Sequence, residues 1–323
     1  MWMKGDLQSD NTETFSNFPP PLTLTSESSP LQFFQLFLSP DILTDLVKHS
    51  VVYASKKNKL NFELCLDEMY VFIGILVLSG YVPLPRRRMY WEESEDVHNE
   101  LVAKSMRRNR FEEISSVFHA ADNDNLPEGD KLGRIRPFIE AINKNFIKYA
   151  PIESNISIDE AMIPYYGRHG CKQYIRGKPI RFGYKAWVAA LKCGYCLQFD
   201  IYQGRKQNIE NLGGVGLGER VVTSFATLLE KEFPNLRFTF YFDNSFTSAK
   251  LIICLGKKGF GATGTVRENR TDECPLKNST LMKKMEIGSM DVAVGENNKI
   301  AGIRWKDNSI VTLLSNVHGL DPL

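Results

Sequence analysis

An aspartate followed by a dense run of cations and aromatic rings is the feature of this sequence most suited to chemistry. Asp159 follows Ile156 and Ile158, whose alternation with Ser157 predicts a strand ending near the carboxylate. The cations up to Lys185 are Arg168, Lys172, Arg176, Lys178, Arg181 and Lys185, and the rings are Tyr165, Tyr166, Tyr174, Phe182 and Tyr184. A metal-binding carboxylate beside cations and flat rings suits phosphodiester chemistry on a nucleic acid. The alternative interpretation is a strand with an exposed basic hairpin.

A second aspartate, Asp243, follows the apolar run Leu236 to Phe242, which predicts another strand. A strand–helix–strand connection returns a strand beside an earlier one, so parallel pairing of the Asp159 and Asp243 strands would bring both carboxylates to one sheet edge. Two carboxylates there could share divalent ions, and oxygen-only ligands favour Mg²⁺ or Mn²⁺ over zinc. Alternatively, each aspartate caps the turn or helix that follows it.

Two arginine groups lie in the preceding helical region and predict a DNA-backbone surface. Arg86, Arg87 and Arg88 are consecutive, and Arg107, Arg108 and Arg110 open a later amphipathic segment. The predicted DNA-binding set is Arg86, Arg87, Arg88, Arg107, Arg108, Arg168, Arg176, Lys178 and Lys185. The alternative for the helical groups is an ordinary solvated charged face.

The elements that must position these residues predict an α/β protein. Residues 1–30 are rich in Ser, Thr, Asn and Pro, which predicts a disordered lead-in. Residues 31–152 show helical patterns, including a run at 64–78 that is apolar nearly all round and predicts a buried helix ended by Gly80. Residues 153–267 change to strand patterns with intervening helices, and residues 268–323 read as a small β-rich appendage.

Several function classes are disfavoured. The net charge of +2 does not by itself predict a polyanion partner, although the cations are bunched. Six scattered cysteines indicate a reducing compartment, and the lone Cys193–Cys196 pair cannot close a zinc site. The longest apolar run is too short to span a bilayer, so we expect an intracellular, soluble protein. The glycines at 213–218 lack the lysine of a nucleotide loop, and DNDNLPEGD at 122–130 lacks the glycine and glutamate of a calcium loop.

SIDEAMIPYYGRHGCKQYIRGKPIRFGYK, YFDNSFTS, GATGTVR and LSGYVPLPRRRMYWEESEDVHN together resemble the piggyBac family of DDE transposases and the proteins derived from it. The resemblance runs from about residue 30 to the end. It implies an RNase H-like core, a helical dimerisation and DNA-binding region, and an insertion domain at 268–323. It also implies ancestral Mg²⁺-dependent cut-and-paste transposition at TTAA sites, a possible homodimer and a nuclear location. Asp159 matches the family's first catalytic acid and Asp243 its second.

The third catalytic acid of the family, in a GGVD-like motif, has no counterpart after Asp243. The later aspartates Asp272, Asp291, Asp307 and Asp321 sit in turn-like or hairpin contexts, so we expect a chain truncated in or just after its insertion. The favoured hypothesis is a transposase-derived DNA-binding protein that has lost strand transfer, because losing one member of a catalytic set costs orders of magnitude in rate. Two alternatives are an active nuclease, completed by a longer product or by Asp200, and an interaction module with exposed apolar surface.

Overall fold

The computed structural model describes residues 2–7, 28–204, 216–295 and 299–320. The chain divides into two compact units. One is a helical unit that ends at Tyr149. The other is an α/β unit that begins at Ala150 and also takes in residues 2–7. The expected α/β fold is confirmed.

The helical unit is held together by one apolar core. Its helices are α1 (Pro30–Phe37), α2 (Pro40–Lys56), α3 (Leu66–Tyr81), α4 (Glu100–Ser105), α5 (Arg108–Val117) and α6 (Arg136–Lys148), with a short 3-10 helix at Arg87–Trp91. Ser39 caps α2 and Pro40 occupies its first turn. Leu43, Met69, Phe72 and Ile114 are buried where α2, α3 and α5 meet.

Helix α3 departs from the expectation of a helix buried on all sides. Only Met69, Phe72, Ile73 and Ile75 of this helix are buried, and the helix runs past Gly80 to Tyr81. The side chains of Val77 and Tyr81 remain 54% and 71% exposed. The exposed side of α3 lines an apolar cavity of about 440 Å³ together with residues of α1 and α4. The composition of a helix does not specify which of its apolar sides the chain covers.

A ten-stranded sheet forms the second unit, in the order β1-β8-β9-β10-β7-β6-β2-β4-β3, with β5 paired to β4. The strands are β1 (Met3–Lys4), β2 (Asn155–Pro164), β3 (Lys172–Tyr174), β4 (Phe182–Leu191), β5 (Cys196–Ile201), β6 (Thr239–Phe242), β7 (Gly261–Thr265), β8 (Met290–Gly295), β9 (Ile300–Lys306) and β10 (Ile310–Ser315). The helices are α7 (Leu217–Glu232), α8 (Ala249–Lys257) and α9 (Ser279–Lys283), and Glu268–Arg270 forms a 3-10 turn.

The centre of this sheet has the topology expected from the sequence. Strands β2, β4 and β5 form an antiparallel meander. After α7, strand β6 returns parallel to β2, and β7 then adds parallel to β6. Such returns are typical of strand–helix–strand connections, because the helix must pack back on the sheet. The short strand β3 is an addition that the sequence did not predict.

The C-terminal strands do not form a separate appendage. Strand β10 pairs antiparallel with β7, so β8, β9 and β10 extend the core sheet. The predicted boundary at 267/268 therefore does not separate two sheets in this structure. Pairing between residues so distant in sequence leaves no local signal.

Residues 3–4, which were predicted to be disordered, form a strand. Strand β1 pairs with β8, and the ammonium of Lys4 contacts the Asp291 carboxylate at 2.6 Å. The edge strand β8 offers unpaired backbone groups, which explains how so short a segment docks there. Residues 8–27 of the predicted lead-in lie outside the described residues, as do 213–215 of the glycine run. No helix in the described part of the chain is both long and apolar enough to cross a membrane.

Candidate metal and nucleic-acid site

Asp159 and Asp243 lie next to each other on parallel strands. The register pairs Ser157 with Tyr241 and Ile158 with Phe242. The next residue is Asp159 within β2 and Asp243 directly after the end of β6. Neighbouring strands are about 4.8 Å apart, and paired residues point to the same face of a sheet. Ile158 and Phe242 are buried on one face, whereas both aspartates are exposed on the other. The predicted parallel pairing is therefore present. The predicted strand end at Asp159 is wrong, because β2 continues to Pro164 through its pairing with β4.

Each carboxylate uses one oxygen locally. Asp159 Oδ1 accepts a hydrogen bond from the backbone N–H of Glu160 at 2.7 Å. Asp243 Oδ1 accepts from the backbone N–H and the hydroxyl of Ser245, at 2.8 and 2.6 Å. Asp243 therefore does cap the turn that follows it, as the alternative interpretation expected. Within the described residues, Oδ2 of each aspartate receives no hydrogen bond.

This donor set suits a hard divalent cation. Two adjacent carboxylates with accessible oxygens and no sulfur or imidazole partner favour Mg²⁺ or Mn²⁺ over zinc. In the ranges that the structure describes, no group of three or more His, Cys, Asp or Glu side chains could hold a metal ion. Asp159 and Asp243 remain predicted metal ligands.

Asp200, the alternative third acid, lies on the face of the sheet opposite Asp159. On β5, Asp200 pairs with Trp187 of β4, which in turn pairs with Glu160 of β2. Asp159 instead pairs with Val188 of β4, whose partner on β5 is Phe199. A bulge between Ala189 and Ala190 shifts the β4–β5 register by one residue. Without this bulge Asp200 would pair with Ala186, on the Asp159 face. A one-residue slip moves every side chain of a strand to the opposite face, and here it removes Asp200 from the site.

The other aspartates behave differently from the pair. The Asp291 carboxylate accepts hydrogen bonds from the ammonium of Lys4 and from the backbone N–H of Lys277. Asp272 sits in a turn with a positive φ of 55°, and Asp307 lies in the β9–β10 turn. Asp321 lies outside the described residues.

The hairpin of β3 and β4 carries the aromatic and basic residues predicted beside Asp159. The register pairs Ile163 with Tyr184, Tyr184 with Lys172, and Phe182 with Tyr174. Because side chains alternate between the two faces along β2 and β4, these residues share the face of Asp159. We call Lys172, Tyr174, Phe182 and Tyr184 the aromatic arm. The alternative interpretation, an exposed basic hairpin after the strand, is therefore present as β3 and β4. The sequence did not predict that the arm and Asp159 share one face.

Two of the predicted DNA-binding lysines, Lys178 and Lys185, lie beside the carboxylate of Glu160, a residue on the face of the sheet opposite Asp159. Lys185 forms an ion pair with Glu160, and the Lys178 ammonium lies 3.9 Å from the same carboxylate. Lys185 pairs in register with Met162, which puts it on the Glu160 face. Arg168 and Arg176 are exposed, and their side chains form no ion pair within the described residues. Glu160, an acid on the neighbouring strand, was the signal that could have separated the paired lysines from the unpaired arginines.

The arginines of the helical unit also divide into paired and unpaired groups. Arg88 forms a two-pronged ion pair with Glu112, and Arg87 donates to the Ser115 hydroxyl and stacks over Phe111. Arg86, Arg107 and Arg108 are exposed. None of these three side chains has an ion pair with a described residue. The exposed, unpaired arginines are therefore better placed to meet a phosphate than Arg88.

Two sequence patterns that resemble metal sites have structural explanations. The Lys56 ammonium lies 3.0 Å from the Asp122 carboxylate and 2.7 Å from that of Asp124, so a cation of the protein itself occupies this acidic turn. Hydrogen bonds from the Asp124 backbone and Lys56 lower the pKa of Asp122 to about 2. In the β4–β5 hairpin, burial raises the pKa of the Cys196 thiol to about 11, which disfavours the thiolate that a metal needs.

Comparison with known proteins agrees with the motifs and the fold. A sequence-family model described as Transposase IS4 matches residues 29–323. Human PiggyBac transposable element-derived protein 3 is 43% identical over the whole of this chain and 54% of its own length. Human PiggyBac transposable element-derived protein 2 is 42% identical over the same shares. The chain therefore spans about half the length of these curated relatives.

The fold also matches a solved structure. One chain of the cryo-EM structure of a piggyBac transposase synaptic complex with hairpin DNA superimposes with a TM-score of 0.70, covering 89% of this chain and 61% of that one at 23% identity. The sequence-family and structural matches define a transposase-derived protein. Within that class, the chain belongs to the piggyBac family.

Proposed function

We propose that this chain is a DNA-binding protein derived from a piggyBac-type transposase and that Asp159 and Asp243 retain the cation-binding part of the ancestral site. The family is that of DNA transposases. The observation that supports the proposal is the register that places the two carboxylates side by side on one exposed face. A divalent cation held there would supply Lewis-acid activation of a phosphodiester.

The distribution of cations supports DNA as the partner. Arg86, Arg107 and Arg108 in the helical unit, and Arg168 and Arg176 in the α/β unit, are exposed and without ion-pair partners in the described residues. Such side chains bind phosphates by releasing counterions, which makes the affinity depend steeply on salt. The structural neighbour of this fold was solved with hairpin DNA.

We expect this chain alone to bind DNA without cleaving it. In the described ranges no third acidic or imidazole ligand joins Asp159 and Asp243. Removing one member of a catalytic set typically lowers the rate by several orders of magnitude. Preference for TTAA sequences, assembly into a homodimer and a nuclear location complete the proposal, and they rest on the family alone.

Fluorescence anisotropy tests DNA binding. The probe is a labelled duplex with a central TTAA, compared with a scrambled duplex over a salt series. We expect binding that weakens steeply with salt, and absence of binding at low salt would overturn the proposal.

Mn²⁺ binding, followed by electron paramagnetic resonance, tests the carboxylate pair. Asp159→Asn and Asp243→Asn should each abolish it, while Asp307→Asn, a surface aspartate in the β9–β10 turn, should leave it unchanged.

A further inference from the structure

The aromatic arm presents rings to solvent where a sheet would normally bury them. The side chain of Tyr174 is 57% exposed and that of Phe182 is 43% exposed. Their ring centroids are 4.8 Å apart with planes tilted by 40°. A second ring pair, Tyr165 and Tyr184, lies one step closer to Asp159, with centroids 4.9 Å apart. The arm and Tyr165 together therefore offer two pairs of rings in a row along one face.

A cation is fixed within this row. The Lys172 ammonium lies 5.4 Å from the centre of the Phe182 ring and donates to the backbone oxygens of Tyr166 and Gly167, at 3.2 Å each. These contacts hold the charge against the ring, whereas an ordinary solvated lysine would be free to move away. A cation beside exposed rings favours a ligand with both negative charge and flat apolar groups.

The local charge has one sign. Residues 161–199 contain no aspartate or glutamate. Glu160 forms ion pairs with Lys178 and Lys185. Arg168, Arg176 and Arg181 are exposed and have no ion pair within the described chain. An acidic protein partner would neutralise the cations and a neutral one could pack on the rings. A polynucleotide does both along its whole length, because each nucleotide carries a phosphate and a flat base.

The direction of the arm relates it to the carboxylate pair. Asp159 and Ile163 are four residues apart on β2, and Phe182 lies two residues beyond the register partner of Ile163. At about 3.3 Å per residue, the rings lie roughly 13–20 Å along the strand from Asp159. That distance corresponds to about four to six stacked nucleotides at 3.4 Å each.

We propose that the aromatic arm is a stacking platform for unpaired nucleotides of a DNA strand whose phosphate backbone passes the Asp159–Asp243 pair. This rests on the proposed function and specifies its substrate as DNA with a single-stranded segment. Bases in a duplex already stack on each other and present only their edges to a protein, whereas unpaired bases offer flat faces to Tyr174 and Phe182. The fixed Lys172 and the exposed arginines would hold the backbone of that segment.

The test compares three labelled probes: a blunt duplex, the same duplex with a six-thymidine extension, and the free single strand. The wild-type chain should bind the extended duplex about tenfold or more tighter than the blunt one. Tyr174→Leu and Phe182→Leu keep apolar bulk but remove the ring, so each should abolish most of this preference. Trp305→Leu is the matched control, because Trp305 is a 44% exposed ring on β9 of the same sheet.

A second readout needs no variant. 2-Aminopurine placed in the extension should lose fluorescence on binding, because stacking on a ring quenches it, and Tyr174→Leu should restore the signal. If the blunt duplex is bound and the extension adds neither affinity nor quenching, the stacking proposal is wrong while DNA binding stands. If none of the probes is bound at low salt, the proposed function fails as well.

Discussion

Asp243 stands directly beside Asp159 because each follows one member of the register pair Phe242 and Ile158. The two aspartates differ in their second role. Asp243 accepts two hydrogen bonds from Ser245 and so closes the turn before α8, whereas the Asp159 carboxylate accepts, among the described residues, only from its neighbour's backbone. The proposed cation binding and the local folding therefore overlap at Asp243 and can be separated at Asp159.

Substitutions of Asp243 should separate these two roles. Asp243→Asn keeps an oxygen that can accept from Ser245, so we expect nearly unchanged unfolding free energy and lost Mn²⁺ binding. Asp243→Ala also loses the turn cap, which should cost about 1 kcal/mol. Denaturant unfolding and Mn²⁺ titration of both variants measure this. Mn²⁺ affinity that survives in Asp243→Asn would show that the carboxylate is not a ligand.

Asp200 provides a test of the bulge argument. Because the β4–β5 bulge turns Asp200 to the Glu160 face, Asp200→Asn should leave Mn²⁺ affinity at the wild-type value. A substantial loss of affinity, in a variant whose unfolding midpoint is unchanged, would contradict this register.

The two arginine groups of the helical unit should contribute differently to DNA binding. Replacing both Arg107 and Arg108 with Ala should reduce the slope of log affinity against log salt by about 0.9 for each phosphate that the variant no longer neutralises. Arg88→Ala should change it less, because Arg88 is already engaged by Glu112. Anisotropy at several salt concentrations gives both slopes. Equal slopes for the two variants would mean that ion pairing in the free protein does not decide which arginines bind.

The ion pair between Arg110 and Glu68 should make stability depend on pH. Arg110 donates to both oxygens of Glu68, at 2.7 and 2.8 Å, and hydrogen bonding by this guanidinium lowers the pKa of Glu68 from 4.5. A carboxyl whose pKa is lowered on folding stabilises the protein above its unfolded pKa and loses that contribution as pH falls through the folded pKa. Wild-type stability should therefore decline below about pH 4.5, and the decline should be smaller in Arg110→Met.

The same comparison has an internal control. The Arg88–Glu112 pair is more exposed, with 68% of the arginine side chain accessible, so Arg88→Met should change stability very little at any pH. At pH 7, Arg110→Met should cost on the order of 1 kcal/mol after allowance for solvent screening. Urea unfolding at pH 3, 5 and 7 measures both variants. Parallel stability curves for wild type and Arg110→Met would show that this pair does not produce the pH dependence.

Sequence patterns predicted the centre of the site better than its surroundings. The alternation of Ile156 and Ile158 with Ser157 predicted the strand that carries Asp159, although β2 does not end there but continues to Pro164. Chain topology predicted the parallel return of β6. The face of Asp200 was not predictable, because a single bulged residue decides it. The joining of β8, β9 and β10 to the core sheet, and of β1 to β8, depends on pairing between distant segments. The exposure of Val77 on α3 depends on which neighbours the chain provides.

Two glycines allow a test of local packing in the two units. Gly74 is exposed within α3, and a methyl group there would meet no atom within 4 Å. Because alanine restricts the unfolded chain and favours helix, Gly74→Ala should stabilise the protein by about 0.5–1 kcal/mol. In β7, a methyl group on Gly264 would clash with the Thr247 hydroxyl and lie 2.8 Å from the Phe242 ring.

Gly264→Ala should therefore destabilise the protein by about 1–3 kcal/mol, because neither backbone nor ring can move aside without loss of packing. Phe242 directly precedes Asp243, so the displaced ring should also weaken Mn²⁺ binding, whereas Gly74→Ala should leave it unchanged. Denaturant unfolding and Mn²⁺ titration of both variants provide the comparison. Wild-type Mn²⁺ affinity in a folded Gly264→Ala variant would show that the carboxylate pair tolerates movement of the strand that carries Asp243.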